Sequence, residues 1–254
     1  MQHFKHLYSD NTYHNTFSNV QKCLRLNDWH EIGDSTHYLT FDMIGLFSFQ
    51  EWTLKQSINF IWYFLAKINI TPDYVTIHPD KIKEWSNLYF DLNVEIRMDD
   101  ECIWSDGNVS GYCTEFYKND IEIGNIVNTL GRSIDIGFGL ERLLQIINQD
   151  SNNVCKLDVL EDAYFQLTKD GVEIGNKKQG YLLKKIIIES ILLGSLVNDY
   201  NYNNIRKNII NNYRNYLSKK RLHKFKDKDS SFWLDTFGID EKRLDLYQKI
   251  KHIS

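Results

Sequence analysis

The spacing of apolar residues changes character near Cys155. Before it, short apolar runs bounded by polar clusters dominate, the mark of strands. After it, apolar residues recur every three or four positions, the mark of helices. Residues 1–20 are polar and aromatic with little period. Strands are predicted over 21–26, 39–49 and 73–79, with a polar loop over 27–38. A helix over 51–68 sets Trp52, Ile58, Trp62, Leu65 and Ile68 on one stripe, and a second covers 81–90. Strands follow over 93–97, 112–117 and 121–129. Next, SIDIGFGLERLLQIIN (133–148) runs from a strand through Gly137 and Gly139 into a helix. Helices are then predicted over 160–171, 179–197, 204–222 and 241–253. The pattern predicts an α+β fold: an antiparallel sheet flanked by helices over 1–152, followed by a small helical domain over 153–254. No Pro/Gly-rich linker or internal repeat divides the chain.

Composition adds one asymmetry. The 254-residue chain carries a net charge of −4, yet residues 177–228 hold thirteen Lys and Arg against Glu189, Asp199 and Asp227. Such a basic segment suits a polyanion, or it is a solvated helix surface. The longest apolar run, 186–197, is interrupted by Glu189 and falls short of the roughly 18 residues of a membrane span. The N-terminal residues lack the apolar core of a signal peptide. A cytoplasmic protein without a membrane partner is expected. Cys23, Cys102, Cys113 and Cys155 show no CxxC spacing, and no histidine pair completes a zinc pattern, so they read as reduced thiols and no metal site is expected.

Candidate chemistry lies along the strands. Arg25 stands where a strand enters the polar loop; its planar fork suits a phosphate, or it forms a surface ion pair. In IWSDGNVSGYCTEFY (103–117), Trp104 suits the wall of a small pocket and Glu115 suits a metal or a nucleotide; core packing and surface charge are the plainer roles. On 121–129, alternation places Glu122, Gly124, Ile126 and Asn128 on one face, with Ile123, Asn125 and Val127 on the other. A buried Asn125 needs a hydrogen-bond partner, from a ligand or from nearby backbone. Asp135 precedes Gly137 by two residues and so points into the cleft that the glycines open, with Arg142 in the first turn of the helix. Glycines there let a flat base or a small substrate approach the backbone.

In this order the segments resemble the catalytic region of the alanyl-tRNA synthetases, a branch of the class II aminoacyl-tRNA synthetases. QKCLR (21–25) and HYLTFDMIGLFSF (37–49) resemble the two arms of the family's second motif. GYCTEF (111–116), EIGNIVN (122–128) and SIDIGFGLER (133–142) are similar to its G-P-C-S/T-E-I, E-I-W-N-L-V-F and S-V-D-T-G-M-G-L-E-R. Downstream, DGVEIGNKKQGYLLKK (170–185) and WLDTFGI (233–239) are similar to two further motifs. The resemblance implies a class II fold and protein-synthesis chemistry: ATP and Mg²⁺ activate alanine, and the alanyl group passes to the 3′ end of alanine tRNA. It assigns Arg25, Glu115, Gly137, Gly139 and Arg142 to ATP, with Arg25 and Arg142 catalytic. It assigns Trp104, Asn125, Val127 and Asp135 to the amino acid. Asn176, Lys184, Lys185 and Asp235 fall to the tRNA acceptor stem, Asn176 and Asp235 at its G·U pair.

The departures are specific. The 26–38 loop is shorter than the family's, with Thr36 for an arginine and Tyr38 for a histidine; Gly124 replaces a tryptophan, and KKIII replaces a more basic run. No counterpart of the hydrolytic editing domain or of the C-terminal domain is found, and a monomer that charges tRNA without editing is expected. The residues also fit two other functions: an adenylating enzyme that serves a different acceptor, and a tRNA-binding paralogue without catalysis.

Overall fold

The structure is a computed structural model. It describes residues 5–26, 29–34, 36–105, 107, 109–148, 154–194 and 202–219, together with Asp229 and Ser231. The elements are α1 (Lys5–Ser9), β1 (Asn15–Leu24), β2 (Thr40–Phe49), α2 (Leu54–Lys67), β3 (Tyr74–Ile77), α3 (Ile82–Trp85), β4 (Glu95–Met98), β5 (Ile103–Ser105), β6 (Ser110–Lys118), β7 (Ile121–Thr129), β8 (Ser133–Gly139), α4 (Leu140–Asn148), α5 (Lys156–Lys169), α6 (Lys178–Gly194) and α7 (Tyr202–Lys219). They form two units. One holds the sheet with α1–α4; the other joins the stretch between β1 and β2 to α5–α7. The helix expected over 241–253 lies outside the described residues.

In the first unit the strands form one mixed sheet in the order β1-β2-β8-β7-β6-β3-β4, with β5 paired to β6. β3 and β4 pair in parallel; the β2–β8, β7–β8, β6–β7, β3–β6 and β5–β6 pairs are antiparallel. The β6–β7 hairpin closes through Asn119 and Asp120, both at positive φ. Asn and Asp tolerate that region, and a two-residue turn with both φ positive matches the twist of the flanking strands. Helix α2 starts at a capping box in which Thr53 and Gln56 satisfy each other's backbone N–H. It buries Leu54, Ile58, Ile61 and Leu65 against Phe116, Ile126, Ile136 and Phe138 of the sheet. Each of these apolar side chains contributes about 1.5–3 kcal/mol on burial. The other sheet face is left for chemistry.

Two expectations are corrected. Residues 1–20 lack apolar period, yet α1 and most of β1 form there; the outer face of β1 is polar and exposed, so the strand pattern is muted. Strict alternation on β7 also fails. Phe116 pairs with Gly124 and Tyr117 with Glu122, so Ile123 is an extra, bulged residue. Ile123 and Gly124 both face the α2 core, and Glu122 turns to the face of Asn125 and Val127.

Gly124 lies on the core face, away from the row of Asn125. A Cβ on it would lie 2.2 Å from the Phe138 ring and 2.6 Å from the Gly137 carbonyl oxygen. Phe138, directly opposite on β8, fills the space in which the resembling motif carries a tryptophan. Gly124→Ala is expected to cost about 1–3 kcal/mol of stability by overpacking. The loss should be smaller in Gly124→Ala/Phe138→Met, because a thioether chain yields where a ring does not. Denaturant unfolding of both single variants and the double variant gives the coupling, and additive losses would show that the ring is not the obstacle.

The second unit packs α5 on α6 and α6 on α7 around Leu160, Ala163, Leu183, Ile186, Ile187 and Ile209. The β1–β2 stretch adds Trp29 and Ile32, with the Lys185 ammonium 3.8 Å from the Trp29 ring centre.

Candidate active site

Residues directly opposite in antiparallel strands share a face. Two rows cross the sheet on the face away from α2. One runs Thr76–Glu115–Asn125–Gly137–Gly45, and the other Cys102–Cys113–Val127–Asp135–Phe47. The first row ends in two glycines side by side, with Met43, Asn19 and Phe47 close over the backbone. A Cβ on Gly137 would come 3.2 Å from Met43 Sδ and 3.7 Å from Asn125 Oδ1; one on Gly45 would come 3.1 Å from Asn19 Oδ1. Asn19 Oδ1 is buried without a hydrogen-bond partner among the described residues. A buried amide oxygen of this kind calls for a hydrogen-bond donor.

The second row holds the most unusual charge. Asp135 is 6 % exposed, between Val127 and Phe47. Tyr8 of α1 donates a hydrogen bond of 3.3 Å to its Oδ2 and packs on Phe49. Burial pushes the Asp135 carboxyl from its ordinary 3.8 up to about 7, and the Tyr8 hydrogen bond only partly opposes this. Val127 and Trp104 pack together with Cys102 and Cys113.

Arg142 leaves α4 toward the same face. Its Nη1 donates to the Glu122 carbonyl oxygen and to Glu122 Oε2, each at 2.9 Å. Asn125 Nδ2 reaches Glu122 Oε1 at 3.4 Å. The bulge thus makes Glu122 the hub that holds both Arg142 and Asn125. On the next residue, both Glu141 oxygens accept from the Asp42 N–H, at 3.0 and 3.1 Å. Glu115 Oε2 accepts from Tyr117 at 2.8 Å and from Thr76 at 3.4 Å. Arg25 is exposed just past the end of β1.

In the short loop between β1 and β2, Asp34 makes local contacts. It accepts from the N–H groups of Thr36 and His37, and its Oδ2 lies 2.6 Å from His37 Nδ1. Partial burial pushes the Asp34 carboxyl up, but these hydrogen bonds outweigh it and hold the group at about 2.

In the second unit, exposed Asn176 sits in the loop before α6, which walls an open hollow of about 660 Å³. Its Oδ1 accepts from Lys184 Nζ at 2.9 Å and from Tyr216 Oη at 3.0 Å. Asp235 lies outside the described residues. Tyr8, Asn19 and Glu122 had no sequence signal: the first two sit in an aperiodic segment, and the third depends on the bulge.

The fold and site define a class of protein. Residues 1–125 match the family described as tRNA synthetases class II (A), and the match supports a class II aminoacyl-tRNA synthetase catalytic region. The curated relatives it is similar to are of the alanyl type. The alanine–tRNA ligase of Prochlorococcus marinus (strain MIT 9515) is 28% identical, over 71% of this chain and 28% of its own length. That of Endomicrobium trichonymphae is 26% identical, over 73% of this chain and 29% of its own. The chain thus spans little more than a quarter of the length of these relatives. Among solved structures, the pyrrolysyl tRNA synthetase PylSc of Desulfitobacterium hafniense overlaps 57% of this chain and 46% of its own at 16% identity, with a TM-score of 0.36, too slight a likeness to carry an argument. No helix among the described residues is long and apolar enough to cross a membrane.

Asp135 makes the site sensitive to pH. The folded chain keeps this proton to about pH 7, the unfolded chain only to about 3.8. Between the two, the folded state binds more protons, so the Asp135 contribution to stability falls as pH rises and is constant beyond about 7. Asp135→Asn is expected to flatten that part of the melting-temperature profile. A cation beside the carboxylate reverses the balance. Binding of an amino acid's ammonium should release a proton below pH 7 and tighten as pH rises. Calorimetry in buffers of different ionisation enthalpy measures that release, and equal heats in all buffers would contradict it.

Proposed function

We propose that the chain activates alanine with ATP and transfers it to an alanine tRNA in the cytoplasm. Asp135 carries this reading: a buried carboxylate that burial keeps protonated to about pH 7 suits a substrate ammonium, which supplies a counter-charge at close range. Asn125 then orients the substrate carboxylate, and Val127 with Trp104 closes the space beyond a methyl group. The backbone at Gly45 and Gly137 accepts a flat base, with Gly139 and Arg142 at its edge. Arg25 grips the α-phosphate.

Alanine's carboxylate oxygen attacks the α-phosphorus in line, and the bond to pyrophosphate breaks. The protein's part is to align the reactants and to stabilise the charge that develops, through Arg25 and Arg142. Glu122 fixes the Arg142 guanidinium from two sides. Carboxylate oxygens are what Mg²⁺ takes beside phosphate and water, so Glu141, next to Arg142, is the side chain that would hold it. When bound it supplies positive charge to the pyrophosphate. The terminal ribose hydroxyl of the tRNA next attacks the adenylate carbonyl, releasing AMP. Lys184 and Lys185 meet phosphates, which position the stem, and Asn176 reads the G·U pair together with Asp235. The Asn176 oxygen faces Lys184 and Tyr216, so its NH₂ is the end that donates to the RNA. The chain acts as a monomer.

Charging of an alanine tRNA, or of its acceptor-stem minihelix, with labelled alanine is expected, and a G·U-to-G·C change should remove it. Arg142→Ala should lower ATP–pyrophosphate exchange about a hundredfold or more, the usual cost of losing a transition-state donor. Exchange without charging would give the adenylate another acceptor. Neither activity would leave a tRNA-binding paralogue.

A further inference from the structure

We propose that Cys102, Cys113 and Glu115 bind a Zn²⁺ ion on the active face of the sheet. The two cysteines stand ten residues apart between their positions and show no metal-binding spacing. Strand pairing is what joins them. Cys113 N–H donates to the Cys102 carbonyl at 3.0 Å, continuing the β5–β6 ladder, so their side chains emerge opposite each other on one face. Glu115, two residues along β6, emerges on the same face. One ligand atom from each of the three lies within 4.8 Å of the other two, and Cys113 Sγ is 3.9 Å from Glu115 Oε1. Bonds of about 2.3 Å to sulfur and about 2.0–2.2 Å to oxygen put tetrahedral ligands roughly 3.5–3.8 Å apart. The cluster needs only small side-chain movements to close.

The surroundings suit a cation. Both thiols are buried, and the groups that bear on Glu115 are the hydroxyls of Thr76 and Tyr117 and the acids Glu122 and Asp99. Thr76 and Tyr117 both hold Oε2, which leaves Oε1 for the metal side, the outer support that ordered metal ligands have. Two thiolates and one carboxylate favour Zn²⁺ over Mg²⁺. Three protein ligands leave the fourth position for water. Glu115, assigned to ATP by the family resemblance, becomes a metal ligand here. The site does not depend on the activity proposed above.

Cobalt substitution tests it on the full chain. Reduced protein stripped with a chelator is titrated with Co²⁺. One equivalent should give thiolate-to-cobalt charge-transfer absorption and the intense visible bands of tetrahedral Co²⁺, both displaced by Zn²⁺. Cys23→Ser/Cys155→Ser should keep the signal, and Cys102→Ser or Cys113→Ser should lose the charge-transfer band. Thr76→Val and Tyr117→Phe should weaken Zn²⁺ binding about ten- to a hundredfold. Wild-type chain gives a second measure that needs no variant: Zn²⁺ should protect Cys102 and Cys113 from alkylation while exposed Cys155 still reacts. Absence of the charge-transfer band in folded wild type, its persistence in Cys102→Ser, alkylation unaffected by Zn²⁺, or a Cys102–Cys113 disulfide in freshly isolated protein would each overturn the site.

Discussion

The register of β8 between β2 and β7 is the constraint on which the active face depends. Side chains alternate along a strand, so a slip of one residue would exchange everything on the two faces. Asp135 would move toward the α2 core, and Ile134 and Ile136 toward solvent. The observed register buries Ile134, Ile136 and Phe138 against α2 and sends Asp135 and Gly137 the other way. The apolar core therefore sets the position of the chemistry. Burial of the alternate residues supplies the free energy that holds Asp135 where its charge is costly.

The bulge at Ile123 shows how one irregularity connects the elements of the site. Without the extra residue, Glu122 would face the core, as simple alternation predicts. With it, Glu122 reaches Arg142 on α4 and Asn125 on its own strand. Two side chains that the family resemblance assigns to different substrates thus share one anchor. The same stretch accommodates an exchange of bulk across the β7–β8 pair, Gly124 for a large residue and Phe138 for a smaller one, hidden on the core face.

Much of the fold was legible because it rests on period. Helix α2, the strand over 121–129 and the turn from β8 into α4 follow from apolar spacing and glycine placement alone. What escaped has a physical reason in each case. Strand β1 is an edge strand with a polar outer face, so its alternation is weak. Tyr8 reaches Asp135 across 127 residues of sequence, and no local pattern encodes such a contact. Cys102 and Cys113 are neighbours only through the β5–β6 pairing, and β5 has just three residues. The partners of Arg25, Asp135 and Arg142 in a substrate complex are chemical expectations, since spacing places a side chain but not its ligand.

The two ends of the face also differ in the hardness of their donors. Arg142, Glu122 and Glu141 cluster toward the β8–α4 turn and offer charge and oxygen, which suit phosphate and Mg²⁺. Cys102 and Cys113 lie toward β5 and offer sulfur, which suits Zn²⁺. A zinc ion there does not oppose the substrate ammonium proposed for Asp135. Two thiolates and a carboxylate carry three negative charges against the two positive charges of the ion, so the filled site is net negative. With the ion bound, the row from Cys102 to Asp135 would keep a negative potential along its length. It would still draw an ammonium toward Val127 and Asp135, while the metal fixes the wall behind Trp104.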